Sequence, residues 1–137
     1  MRRSAGFTLL EAIVALAILA AGGMALFAAL SGALRSLERA DAAARLDTAT
    51  ENALTLLETR NPMLEPEGEA AVGEYRIEWR ATPVEPVRVG LTDYLQPGLY
   101  DVGLYDVEIV ISRDGRVERR LTVRRAGFQQ MRQQELG

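Results

Sequence analysis

A single carboxylate, Glu11, stands near the front of GFTLLEAIVALAILA (residues 6–20), a stretch otherwise free of charge. An ionised carboxylate inside hydrocarbon costs about 3 kcal/mol on insertion scales, and it persists where an opposite charge meets it. Elsewhere the chain offers little conventional catalytic chemistry. Its 137 residues include no His and no Cys, and all 16 basic residues are Arg. That removes the commonest general base and zinc ligand, thiolates and disulfides, and Schiff-base or P-loop lysines. Carboxylates such as Asp101 and Asp106 remain, but no spacing singles out a pair. No catalytic residue, metal or cofactor is expected, and the chain reads as a non-enzyme. A net charge of −3 argues against nucleic acid as a partner.

From Ala12 to Leu34 no residue is charged, a run long enough to cross a hydrocarbon core of about 30 Å. Arg2 and Arg3 precede it, which places the start of the chain on the cytoplasmic side and the remainder outside. A secretory signal peptide cut after ILAA would leave the continued apolar run unexplained. A plain single-pass anchor would leave Glu11 unexplained.

The whole pattern of basic leader, Gly-Phe junction, Thr-Leu-Leu-Glu and apolar helix resembles the signature of type IV pilins and type II secretion pseudopilins. The resemblance implies cleavage by a prepilin peptidase between Gly6 and Phe7, then N-methylation of Phe7. Residues 1–6 would be the leader, and Glu11 would become the fifth residue of the mature chain. An amine newly made at Phe7 could then pair with Glu11 of a neighbouring subunit during assembly. Ala17, Ala21, Ala25, Ala29 and Ala33 recur every fourth residue and form a ridge of small side chains. Such a ridge lets helices approach closely in lipid, and an alanine-rich helix also contains such rows by composition alone.

The helix should continue beyond the membrane. Residues 35–60 contain no Gly or Pro, and Leu46, Ala49, Ala53, Leu56 and Leu57 recur at helical spacing before Asn61-Pro62. A helix from about Phe7 to Arg60 would be roughly 80 Å long. Its Leu/Ala stripe is expected to pack on the chain's own sheet. Residues 7–34 thus read as the transmembrane half, 35–62 as an amphipathic half, and 63–137 as a β domain.

Residues 63–72 read as a polar loop, with Glu65, Glu67 and Glu69 as solvated surface. EYRIEWRAT (74–82) alternates as a half-buried strand, with Tyr75, Ile77, Trp79 and Ala81 inward. Residues 83–98, with Pro83, Pro86 and Pro97-Gly98, read as a long connection. Residues 104–125 read as a hairpin turning at Asp114-Gly115. Tyr105, Val107, Ile109 and Ile111 share one face of its first strand; Val117, Leu121 and Val123 share one face of the second. The tail from Phe128 reads as frayed or a short helix. Arg119, Arg120, Arg124 and Arg125 form a basic cluster, better explained as edge charge that discourages aggregation than as a docking site.

The expected fold is α+β: a long amino-terminal helix on a small antiparallel sheet. Within the family, the short domain, the YRIEWRAT strand and the late hairpin look most like the minor pseudopilin GspI. That likeness implies J-, K- and H-type pseudopilin partners, prepilin peptidase and an inner-membrane assembly platform. It also implies an inner-membrane anchor with a periplasmic carboxyl-terminal domain. The alternatives are a minor type IV pilin of a pilus or DNA-uptake system and a membrane-anchored binding domain.

Overall fold

The structure, a computed structural model, describes residues 6–131. One helix, α1, runs over Leu9–Glu58, and five strands follow: β1 Glu67–Val72, β2 Tyr75–Pro83, β3 Arg88–Leu91, β4 Pro97–Arg113 and β5 Arg116–Gln130. The chain falls into two compact units, one up to Ala44 and one from Arg45 onward. The division lies within the helix, between the expected boundaries at 34/35 and 62/63.

In the first unit the apolar side chains are exposed, among them Leu16, Leu19, Leu26 and Phe27. This is the one helix among the described residues long and apolar enough to span a membrane.

In the second unit the last turns of α1 pack on an antiparallel sheet. Ala49, Ala53 and Leu57 stand four residues apart and are buried against Tyr75, Ile77, Trp79, Tyr105, Val107, Ile109 and Ile111. Small side chains at two of the three helix positions let the backbone approach the sheet closely. Leu46 and Leu56 are only partly buried at the margin. The α+β class and the inward faces of β2 and β4 therefore match expectation. The helix ends two residues early, at Glu58: Thr59 and Arg60 continue it only through bonds to the Leu56 and Leu57 carbonyls.

Several segments depart from the sequence reading. Residues 67–72 form β1, not a loop, paired in register with β2 from Glu67↔Arg80 to Val72↔Tyr75. Arg88–Leu91, expected within a long connection, form β3 against β4. β4 begins at Pro97 rather than near Leu104, and β5 reaches Gln130 because Tyr100 supplies its partner there. Residues 128–130 of the expected frayed tail are thus strand, and residues beyond 131 lie outside the described part. β4 is the centre of the sheet. β2 and then β3 flank one side, and β5 flanks the other along nearly its whole length.

One face assignment is also corrected. A register shift between Ile111 and Ser112 pairs Ser112 with Val117 but Ile111 with Arg119. The extra residue turns Val117 to the face opposite Leu121 and Val123. Val117 is exposed there, beside Val110 and Arg120.

The end of α1 is tied to β5 by Asn61. Its Oδ1 accepts from the backbone N–H groups of Met63 at 3.0 Å and Phe128 at 3.3 Å, while its Nδ2 donates to the Phe128 carbonyl. The side-chain amide thus behaves as a short extra strand segment on the outer edge of β5.

Candidate functional site

Gly6, Phe7 and Thr8 precede the helix in non-helical backbone. Phe7 is exposed, and nothing lies within 4 Å of where a Gly6 Cβ would stand. A peptide bond outside regular structure and open on its side-chain surface is accessible to a peptidase. Residues 1–5 of the expected leader lie outside the described part.

Thr8 is the N-cap of α1. Its Oγ1 accepts from the Glu11 backbone N–H at 3.2 Å, and its carbonyl takes the first helical bond, from Ala12 N–H at 3.1 Å. Glu11 thus occupies the third helical position, the acidic place of a capping box. There the positive end of the helix dipole favours a carboxylate. The sequence reading missed this role, although Thr-x-x-Glu ahead of an apolar run is its signal. Glu11 is exposed in the first turn, with two purposes open to it: local capping and meeting a charge from outside.

Ala17, Ala21, Ala25, Ala29 and Ala33 all lie on α1 and are exposed. They follow one of the fourth-residue ridges by which helices interlock.

The four arginines of the carboxyl-terminal half do not form one patch. Arg119 and Arg125 turn toward the helix: Arg119 Nη1 donates to Thr50 Oγ1 at 2.9 Å and bridges Asp47 at 2.8 Å, and Arg125 donates to the Glu58 carbonyl at 3.3 Å. Arg120 and Arg124 lie on the opposite face, bridged to Glu108 at 3.2 Å and Asp106 at 2.8 Å. The Arg124 fork holds both Asp106 oxygens, and this hydrogen bonding keeps the Asp106 carboxyl below the usual aspartate range. The outer face carries further cross-strand pairs, Arg80–Glu67 at 3.0 Å and Arg76–Glu69 at 3.2 Å. Asp101 and Asp106 lie on opposite faces of β4, five positions apart, so the structure does not bring them together.

Residues 1–27 match the family model described as the prokaryotic N-terminal methylation motif. The chain therefore carries a prepilin-type signal, the class found in type IV pilin-like proteins and pseudopilins. Such a signal implies processing by prepilin peptidase and assembly of the pilus or pseudopilus type. Comparison with curated proteins and with solved structures gives no match.

Proposed function

We propose that this chain is a minor pseudopilin of a type II secretion system, of the GspI type. In this reading it is a structural, non-catalytic subunit of the pseudopilus tip. It joins J-, K- and H-type subunits and primes a pseudopilus that drives protein export across the outer membrane. The observation that carries the reading is the methylation motif at residues 1–27, which takes in the start of a helix of membrane-spanning length. The small sheet domain, pilin-like in its α+β arrangement, and its resemblance to the GspI pattern supply the finer assignment.

The chemistry proposed for assembly follows from Glu11. Cleavage after Gly6 makes a cationic amine at Phe7, just ahead of the N-cap. A subunit entering the filament presents that amine to Glu11 of its neighbour. Away from water, a misplaced subunit leaves both charges unpaired, so the pair selects register. The alanine ridge would bring the helices close enough for that contact. The anchor lies in the inner membrane and the sheet domain in the periplasm.

The test is expression of the full chain with and without prepilin peptidase, followed by mass measurement of the membrane form. The expected product begins at Phe7 and carries one added methyl group. Co-purification with J- and K-type pseudopilins would support the secretion assignment, and recovery with pilins would favour a minor type IV pilin instead. An amino terminus near Gly22 would overturn both.

A further inference from the structure

Phe128 shows which backbone groups of β5 face away from the sheet. Its N–H and its carbonyl both turn to the Asn61 side chain, while Met131, of the other parity, gives its N–H to the Leu99 carbonyl of β4. Groups alternate along an antiparallel ladder, and the β4–β5 pairing runs without a shift from Gln130 to Arg119. The N–H and carbonyl of Arg120, Thr122, Arg124 and Ala126 therefore also point outward. Among the described residues, nothing bonds to these eight groups.

An open strand edge is a template for a further strand, and proteins guard such edges with short length, free charge, proline or a bulge. The edge strands β1 and β3 have six and four residues; β5 has 15 and no proline. Its register shift lies beyond this stretch, toward the Asp114-Gly115 turn. Its arginines are drawn back from the edge. Arg119 and Arg125 reach Asp47 and the Glu58 carbonyl on α1, and Arg120 and Arg124 reach Glu108 and Asp106 on β4.

The side chains select what can lie alongside. β5 carries five arginines and one glutamate, Glu118. Arg120 and Arg124, on the face away from α1, keep 62 % and 59 % of their side-chain surface open. Leu121 and Val123 point to the other face and are only partly buried. A strand added here sets its side chains alternately beside two arginines and beside two apolar residues. Acidic and apolar residues in alternation match that order, because opposite charges across strands stabilise and like charges oppose. A second copy of β5 paired about Thr122 would instead set Arg120 against Arg124 twice.

We propose that the outer edge of β5, from Arg120 to Ala126, accepts an extended segment of a different protein chain as a sixth strand, and that this segment alternates acidic and apolar residues. Main-chain hydrogen bonds supply the attachment, and the alternating side chains supply the selectivity. The inference goes beyond the pseudopilin reading and stands without it, since the edge alone defines the partner.

The experiment places benzoylphenylalanine at Thr122 of the full chain in its native membranes, with Arg76 on the outer face of β2 as control position. Irradiation should give one discrete protein adduct from position 122 and none from 76. The cross-linked peptide should alternate acidic and apolar residues. Ala126→Pro removes an N–H that β4 does not use, so the sheet should persist, as Trp79 emission would report. The adduct yield should nevertheless fall at least about fivefold, the worth of one backbone hydrogen bond. Arg120→Glu with Arg124→Glu should cut it at least about threefold, and this variant decides the matter if Ala126→Pro does not fold. Adducts between two copies, adducts to lipid alone, a cross-linked peptide without acidic residues, a yield unchanged in either folded variant, or no adduct at wild-type protein levels would overturn the proposal.

Discussion

The indole of Trp79 lies across Gly68, its cross-strand partner on β1. A Cβ on Gly68 would come within 2.7 Å of both Cε2 and Cη2 of the ring. The ring is fixed from other sides as well. Nε1 donates to the Glu65 carbonyl at 3.4 Å, and the Arg60 guanidinium stands 5.9 Å from the ring centroid. Gly68→Ala should therefore lower stability by about 1–3 kcal/mol through overpacking. Trp79→Ala should cost about 3–5 kcal/mol. In the Trp79→Ala background, Gly68→Ala should add little, because its clash has gone. Denaturant melts of the four proteins would measure the cycle. Additive losses would show that Gly68 serves some other constraint.

Asn61 supplies both a donor and an acceptor to the backbone of Phe128 on the edge of β5. Water can replace these bonds in part, so Asn61→Ala should cost only about 1 kcal/mol. Its local signature should be sharper: faster amide exchange at Phe128 and Met63, with the centre of β4 unchanged. Uniform acceleration across the sheet would mean that Asn61 acts on global stability instead.

The Asp106–Arg124 pair predicts an acid limb. Asp106 titrates lower in the folded protein than in the unfolded chain, chiefly because Arg124 hydrogen-bonds its carboxylate. Its contribution is therefore present above the unfolded value, about 4. It is lost as pH falls through the lowered folded value. Thermal melts across this range should show stability declining toward acid pH. Asp106→Asn should flatten that decline while leaving its slope at neutral pH unchanged. An identical acid limb in the variant would assign the effect to other carboxylates.

Glu11 has a capping position and a proposed assembly charge, and Glu11→Gln separates them. A glutamine can still complete the capping box, so helix content and membrane insertion should match wild type. Incorporation into the filament should fall sharply, read as the protein recovered in sheared or cross-linked filaments. Ala21→Leu with Ala25→Leu should weaken incorporation by a different route, through helix approach. Normal incorporation of Glu11→Gln would dismiss the charge pair, and normal incorporation of the alanine variant would reduce the ridge to composition.

Local chemistry made the amino terminus legible from the chain alone. A motif read in consecutive residues, from the two arginines to Glu11, needs no tertiary contact to be recognised, and an uncharged run of spanning length reads as a helix because a chain crossing lipid has no other partner for its backbone. β2 declared itself by strict alternation. The Asp114-Gly115 turn declared itself by its residue types, and both residues do adopt positive φ, 51° and 75°. β1 and β3 carried no such mark. EGEAAV has charges on one side and small residues on the other, and it becomes a strand because β2 offers an open edge and Gly68 fits beneath Trp79. β3 lies among turn-forming residues and exists because β4 extends past the end of β2. The face of Val117 depends on one bulged residue, which reverses inside and outside without changing the hydrophobic pattern. The arginine cluster separated onto two faces for the same reason: adjacent positions on a strand point apart. Alternation and turn chemistry are properties of neighbours in sequence. Partner strands, register and cover are properties of residues brought together from far along the chain, and these the folded structure alone decided.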